Sequence, residues 1–120
     1  MKVSVIGMGY IGLPTAAVLA SRKINVVGVD VNHDVVDTIN KGNIHIVEPE
    51  LDILVRSVVQ SGYLRSTTLP EKADVFMVAV PTPFKDENKP DLSYIEAVSK
   101  AIAPLLEKGN IVILESTSPV

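Results

Sequence analysis

Short apolar runs alternate along the chain with longer stretches in which apolar residues recur every three or four positions. Val3–Ile6 and Val26–Val29 have the length of buried strands, and Asp74–Val80 is almost continuously apolar. A strand covered on both faces of a parallel sheet shows such an unbroken run, because neither face meets water. Together with Leu64–Thr67 and Asn110–Glu115, these runs predict five strands.

Between the first and second strands, and between the second and third, apolar residues recur at helical spacing. The first helix is expected over about Tyr10 to Ser21, although Pro14 lacks the N–H that an interior helical position donates. We therefore expect a loosened or kinked first turn at Pro14. For the second helix, Asn32 is a suitable N-cap and Gly42 a suitable stop.

Two further helices are expected later in the chain. Pro49 suits the first position of the third helix, which Gly62 ends. The fourth is expected over about Leu92 to Glu107, with a bend near Pro104. A polar loop from Lys85 to Pro90 separates this helix from the preceding strand.

The alternation of strands and helices predicts an α/β fold. Right-handed crossovers build from it a Rossmann-type doubly wound parallel sheet, with five strands and flanking helices. Because a Rossmann sheet has six strands, we expect residues 1–120 to be one domain of a longer protein, truncated before the last strand. Ligands bind such sheets at the carboxyl ends of the strands, where this chain has Gly7–Gly12, Asp30, Pro81–Pro83 and Ser116–Ser118.

The composition narrows the class of function. The chain has 120 residues, 47% of them hydrophobic, and a formal net charge of −3, so it has no basic surface for nucleic acid or an anionic membrane. No apolar run reaches the roughly 20 residues of a membrane span. The chain contains no cysteine, which excludes disulfides, cysteine-based metal sites and a cysteine nucleophile within it. His33 and His45 lack the spacing of paired metal ligands, so we expect no metal site. The absence of a membrane span, a signal peptide and cysteine predicts a cytoplasmic protein.

A glycine motif follows the first predicted strand. Gly7–Gly12 has the sequence Gly-Met-Gly-Tyr-Ile-Gly and opens the first helix, and Asp30 ends the next strand 18 residues after Gly12. The motif alone is weak, but the order strand, glycine turn, helix, strand and acid is the dinucleotide-binding pattern. The alternatives are a glycine turn used only for packing, with Asp30 as an ordinary strand-end acid, or an S-adenosylmethionine site.

Each residue of this motif has a physical role in a dinucleotide site. Gly7 allows the tight turn, Gly9 lets the backbone approach a pyrophosphate, and Gly12 lets the helix pack on the strand. The free N–H groups at the helix start attract phosphate. Asp30 accepts hydrogen bonds from the adenosine ribose and repels a 2′-phosphate. No arginine follows it in Val31–His33, which predicts NAD rather than NADP.

Four motifs in order resemble the NAD-binding domain of the UDP-glucose/GDP-mannose dehydrogenase family, and the resemblance covers the whole chain. They are Gly7–Pro14, Gly28–Asn32, Val80–Pro83 and Glu115–Thr117, the last followed by Pro119 and Val120.

Two segments carry a finer resemblance within that family. Asn43–Leu51 and Leu114–Val120 are most similar to the branch that oxidises UDP-N-acetyl-D-mannosamine. Many relatives have glycine where this chain has Glu50, and that difference also favours this branch.

The resemblance implies a four-electron oxidation in polysaccharide biosynthesis. The C6 hydroxyl of the UDP-sugar becomes a carboxylate, two NAD are reduced, and a cysteine holds the intermediate as a thiohemiacetal and thioester. That cysteine has no counterpart here, so this chain would hold the cofactor, while the UDP-sugar site lies mostly outside it. Alternatives are a UDP-glucose or UDP-N-acetylglucosamine 6-dehydrogenase, or a dinucleotide-binding module without turnover. The full-length protein is expected to be a homo-oligomer.

The resemblance also implies roles for individual residues. The backbone amides of Tyr10 and Ile11 would bind the pyrophosphate and Asp30 the adenosine ribose. Thr117 would be an auxiliary catalytic residue near the nicotinamide. Considered without the family, Thr82 and Thr117 are strand-end hydroxyls that cap the next turn or helix. The complete set of expected cofactor-binding residues is Gly7, Gly9, Tyr10, Ile11, Gly12, Asp30, Thr82, Pro83, Ser116 and Thr117.

Overall fold

Strands and helices alternate along the chain in the computed structural model, which describes residues 1–45, 50–79, 84–85, 89–90 and 93–114. The strands in this part of the chain are β1 (Lys2–Ile6), β2 (Asn25–Val29), β3 (Leu64–Thr67), β4 (Val75–Val78), β5 (Phe84–Lys85), β6 (Lys89–Pro90) and β7 (Ile111–Leu114). The helices are α1 (Gly12–Ser21), α2 (His33–Asn40), α3 (Leu51–Gln60) and α4 (Ser93–Ile102), the last followed by a 3-10 turn (Ala103–Leu105). Within the described ranges, no helix has the length and apolar character needed to cross a membrane.

Five of these strands form a parallel sheet in the order β3-β2-β1-β4-β7. Val3 of β1 pairs with Val26 of β2 on one side and with Val75 of β4 on the other. The chain builds outward from β1 in one direction through β3 and then in the opposite direction through β7. The order therefore reverses between β1 and β4, which is where ligands bind in doubly wound sheets. This arrangement confirms the predicted Rossmann-type fold.

Alternate residues of the three inner strands, β1, β2 and β4, face two separate cores, as strand geometry requires. On one face, Val3 and Val5 pack with side chains of α1, α2 and α3. On the other face, Ile6 and Phe76 pack with Ile102 of α4. Helices thus cover both faces, which explains why the strand sequences are almost continuously apolar.

The first helix begins two residues later than predicted, and this removes the expected distortion. Because α1 begins at Gly12, Pro14 lies in its first turn, where a missing N–H costs nothing. Leu13 N–H donates to Gly9 O at 3.1 Å and Thr15 N–H to Ile11 O at 3.2 Å, so helical bonds continue on both sides of Pro14. The prediction of a kinked first turn is wrong.

Later boundaries also differ from the prediction. The expected polar loop from Lys85 to Pro90 overlaps with the antiparallel pair β5 and β6, which begins one residue earlier at Phe84. The fourth helix does not extend to Glu107 with a bend, because α4 ends at Ile102 and Pro104 lies in the 3-10 turn. Helix α3 begins at Leu51, two residues after the predicted start at Pro49, because Glu50 is its N-cap with a left-handed φ of +67°.

The β3 edge of the parallel sheet is covered by a side chain, whereas the β7 edge has exposed apolar residues. At the β3 edge, the side-chain amide of Asn40 pairs with the backbone of Ser66: its Nδ2 donates to Ser66 O at 2.9 Å, and its Oδ1 accepts from Ser66 N at 2.8 Å. A side chain thus occupies backbone groups that could otherwise bind another strand. At the β7 edge, all four apolar side chains from Ile111 to Leu114 are between 41% and 55% exposed.

Two buried serines form a matched pair for a stability test. Ser66 Oγ donates to Gly28 O at 2.9 Å, whereas Ser4 Oγ has no hydrogen-bond partner in the described part of the chain. We expect Ser4→Ala to raise the free energy of unfolding by about 1 kcal/mol, because it removes an unpaired buried hydroxyl. Ser66→Ala should lower the same quantity by about 1 kcal/mol. Urea denaturation measures both, and equal losses in the two variants would show that the Ser4 hydroxyl has a partner.

An ion-pair cluster joins β1, β3 and the segment before β4. Arg65 donates to both carboxylate oxygens of Glu71, at 2.8 and 2.6 Å, and Lys2 Nζ donates to Oε1 at 3.0 Å. The hydrogen bonds from Arg65 and then from Lys2 lower the pKa of Glu71 from its usual 4.5 to about 2. The folded state therefore favours the charged form of this carboxyl group.

This lowered pKa predicts a loss of stability in acid. The contribution of Glu71 is fully present above pH 4.5, the unfolded value, and is lost as the pH falls toward about 2, the folded value. Since the Glu71 side chain is 36% exposed, solvent screening limits the effect to about 1 kcal/mol. Glu71→Gln should flatten the dependence of unfolding free energy on pH over this interval. The control Glu96→Gln replaces an exposed glutamate that pairs with no described residue, and it should retain the wild-type dependence.

Candidate functional site

The glycine loop leaves β1 in a conformation that only glycine adopts easily. Gly7 has a φ of +97°, in the left-handed region, and its N–H donates to Val29 O at 2.7 Å. The chain therefore turns sharply while it still pairs with β2. The predicted role of Gly7 in the turn is confirmed.

Helix α1 packs directly on this turn. A Cβ at Gly12 would lie 1.7 Å from the carbonyl oxygen of Gly7 and 3.4 Å from Cβ of Ala79. No side chain fits in that space, so any other residue would force the helix away from the loop. This confirms the packing role predicted for Gly12.

The loop presents unpaired backbone donors at the start of α1. The N–H groups of Gly9, Tyr10 and Ile11 donate to no acceptor among the described residues. Ile11 occupies the N-cap position without a side-chain cap, and a Cβ at Gly9 would meet no atom of the described residues within 4 Å. Free amides, the positive end of a helix dipole and open space beside them form an arrangement that suits an anion such as a diphosphate.

Asp30 lies beside this loop and is held by backbone amides. Its Oδ2 accepts from Met8 N at 3.1 Å, its Oδ1 accepts from Asn32 N at 3.0 Å, and its own N–H donates to Thr67 O at 3.1 Å. Each carboxylate oxygen retains a second acceptor position, which can take a hydroxyl group of a ribose. Asp30 forms no ion pair with any described residue, so its negative charge is available to repel a phosphate.

Asn32 connects the end of β2 to helix α2. Its Oδ1 accepts from Asp34 N at 2.9 Å and from Val35 N at 3.4 Å, which confirms the predicted N-cap. This cap fixes the chain immediately after Asp30. The carboxylate is therefore bounded by the glycine loop on one side and by a capped helix start on the other.

The structure brings together the predicted residues at the ends of β1 and β2. The other four, Thr82, Pro83, Ser116 and Thr117, lie outside the described residues. The sequence analysis missed Met8 and Gly28. Met8 is fully buried, and a Cβ at Gly28 would lie 2.4 Å from its Cε. A glycine inside an apolar strand indicates a close approach, and this signal was present at Gly28.

Comparison with known proteins agrees with this geometry. The model of the NAD binding domain of the UDP-glucose/GDP-mannose dehydrogenase family matches residues 1–120. The chain is 71% identical to the UDP-N-acetyl-D-mannosamine dehydrogenase of Campylobacter jejuni over 120 residues, which are 99% of this chain and 30% of that protein. It is 67% identical over 118 residues to an NDP-N-acetyl-D-galactosaminuronic acid dehydrogenase of Ralstonia nicotianae, covering 98% of this chain and 28% of that protein.

Solved structures give the same relationship. The native UDP-N-acetyl-mannosamine dehydrogenase of Staphylococcus aureus superposes with a TM-score of 0.94 at 43% identity, covering 98% of this chain and 29% of that one. The chain thus spans less than a third of the length of these relatives. A family match over every residue, in agreement with the glycine loop and Asp30, shows that the chain belongs to the UDP-glucose/GDP-mannose dehydrogenase family and forms its NAD-binding domain.

Proposed function

We propose that this chain holds NAD for a nucleotide-sugar 6-dehydrogenase that oxidises UDP-N-acetyl-D-mannosamine to UDP-N-acetyl-D-mannosaminuronate. The 71% identity to the Campylobacter jejuni UDP-N-acetyl-D-mannosamine dehydrogenase supports this substrate. The 67% identity to a dehydrogenase named for an N-acetyl-D-galactosaminuronic acid makes the corresponding galacto sugar the second candidate. In either case the C6 alcohol becomes a carboxylate with the uptake of water and the reduction of two NAD.

The observation that carries the cofactor assignment is the row of unpaired amides beside an amide-held carboxylate. Tyr10 and Ile11 N–H would bind the diphosphate, and the open side of Gly9 would admit it. Asp30 would bind the adenosine ribose through its remaining acceptor positions. When bound, NAD supplies the hydride acceptor of the reaction. The task of this chain is to hold and orient it.

The remaining predicted residues stand as proposals supported by the topology. Thr82 and Pro83 follow β4 in the sequence, and Ser116 and Thr117 follow β7. The last paired residues of these strands, Val78 and Leu114, are in register with each other, and Val78 is in register with Ile6 of β1. The carboxyl ends of β4 and β7 therefore lie at the same edge of the sheet as the glycine loop. We propose that Thr82 and Pro83 contact the cofactor and that Ser116 and Thr117 lie near its nicotinamide.

The rest of the enzyme would lie beyond this domain. The chain has no cysteine to hold the intermediate, and its relatives are more than three times as long. We propose that the nucleophile and most of the UDP-sugar site belong to the additional length. The exposed apolar residues of β7 would pack against it. The complete protein is proposed to be a cytoplasmic homo-oligomer.

Activity of the full-length protein tests the reaction. Purified protein with NAD should release two NADH for each UDP-N-acetyl-D-mannosamine consumed, followed by NADH absorbance and by mass spectrometry of the acid. UDP-N-acetylglucosamine, UDP-N-acetylgalactosamine and UDP-glucose serve as the comparison panel. Faster turnover of another sugar would replace the proposed substrate. NAD binding without turnover of any panel member would favour a binding module.

Calorimetry with NAD tests the role of Asp30. Asp30→Ala should weaken binding by roughly 1–3 kcal/mol, because charge-assisted hydrogen bonds to the ribose are lost. Asp30→Asn should also weaken binding, since its NH2 group cannot accept from a backbone amide. The matched control is Asp34→Ala, which removes an acid from the first turn of α2 and should leave the Kd unchanged. An unchanged Kd in Asp30→Ala would show that this carboxylate does not hold the ribose.

A further inference from the structure

Met8 belongs to the glycine loop: its buried side chain lies beside Gly28, and its backbone amide donates to Asp30. We propose that Met8 is a positioning residue. Its buried side chain, seated over Gly28, would hold its own backbone amide against Asp30 and so set the spacing between the carboxylate and the diphosphate-facing amides. This inference rests on the proposed binding of NAD at the glycine loop.

The side chain of Met8 fills the space beside Gly28 that a side chain at position 28 would need. A Cβ built on Gly28 would lie 2.4 Å from Cε, 2.7 Å from Sδ and 3.2 Å from Cγ of Met8. The thioether therefore occupies the volume that any other residue at position 28 would need. Met8 is 0% exposed, so a displaced side chain would have to move into packed core or into the loop.

Gly28 is itself held firmly in the sheet. It is in register with Val5 of β1, and its carbonyl oxygen accepts from Ser66 Oγ of β3 at 2.9 Å. Strands on both sides thus fix the surface on which Met8 rests. The side chain of Met8 has a defined seat even though methionine is a flexible residue.

The packing of Met8 against Gly28 would fix the position of the loop backbone beside β2. Gly7 N–H donates to Val29 O at 2.7 Å, and Met8 N–H then donates to Asp30 Oδ2 at 3.1 Å. The carboxylate continues the hydrogen-bond ladder between β1 and β2 by one step beyond the strands. The unpaired amides of Tyr10 and Ile11 follow within three residues of Met8, so a shift of Met8 would move them relative to Asp30.

The competing explanation is that Met8 only fills the core. It belongs to the same buried cluster as Leu13 and Val55, and truncating any of them leaves a cavity. Core filling predicts a loss of stability without a change in the affinity of the folded protein. Positioning predicts a change in affinity as well, and the two explanations can be separated by calorimetry.

The test compares Met8→Ala with Val55→Ala in the full-length protein. Val55 is equally buried but lies on α3 and contributes nothing to the proposed site. Calorimetric stoichiometry reports the folded fraction, the Kd reports the site, and thermal denaturation reports stability. Met8→Ala should raise the Kd for NAD about tenfold, as expected for a weakened hydrogen bond to a charged group. Val55→Ala should lower the melting temperature and leave the Kd unchanged.

Rescue by a complementary substitution provides the second readout. Gly28→Ala alone should raise the Kd, because its Cβ displaces the Met8 thioether. In the variant that combines Met8→Ala with Gly28→Ala, the new Cβ occupies space that the thioether has vacated. The Kd of this double variant should therefore rise by less than the product of the two single effects. Leucine is similar in volume to methionine but has a shorter side chain. If Met8→Ala does not fold, Met8→Leu replaces it in this comparison of Kd values.

The outcomes distinguish this inference from the proposed function. Wild-type protein that binds no NAD would overturn the proposed function itself. Wild-type binding with an unchanged Kd in the folded Met8 variants would overturn the positioning role alone. Multiplicative effects in the double variant would show that Met8 and Gly28 act independently, and would also overturn it.

Discussion

The NAD-binding domain depends on a few backbone amides that pair with no described residue but are fixed in place. Folded proteins pair nearly all buried N–H groups, because an unpaired one costs about 1–3 kcal/mol. The loop avoids this cost by lying beyond the carboxyl end of β1, where a Cβ at Gly9 would meet no described atom within 4 Å. Neighbouring residues hold the loop in place: Gly12 packs on the carbonyl of Gly7, and the amide of Met8 donates to Asp30. The N–H groups of Gly9, Tyr10 and Ile11 are thus fixed in place while they donate to no described acceptor.

The sheet order makes this local arrangement possible. Strand β1 is central, with β2 carrying Asp30 on one side and β4 on the other, so the loop that leaves β1 is supported from both directions. Ala79 N–H donates to Ile6 O at 2.7 Å, while Gly7 N–H donates to Val29 O at the same distance. Because both neighbouring strands hold the last residues of β1, the turn begins from a rigid base. A glycine motif at an edge strand would have only one such support.

The parts of the fold that were predictable are those encoded by local pattern. Apolar runs predicted the five strands of the parallel sheet, and the glycine spacing with Asp30 predicted the candidate site, because each pattern depends on residues close together in sequence. The predicted kink at Pro14 was wrong because it depended on where α1 begins. The helix begins two residues later than predicted, and the sequence does not define a helix start to within two residues. The seat of Met8 on Gly28 joins residues 20 positions apart, and only the lone glycine in β2 signalled it. The acceptor role of Asp30 toward Met8 and Asn32 depends on side-chain placement, which no sequence pattern specifies.

The two roles of Asp30 are linked by its geometry. Both carboxylate oxygens already accept a backbone amide, so the directions left for ribose hydroxyls are determined by the loop and by the start of α2. Alanine at this position would remove the charge that would oppose a 2′-phosphate, and it would also leave the Met8 amide without its acceptor. In the proposed site, the preference for NAD over NADP and the placement of the amides that would bind the diphosphate would therefore both depend on the Asp30 side chain. Changing the cofactor would require a new acceptor for Met8 in addition to a cation for the phosphate, because the loop has no other described contact that fixes this amide.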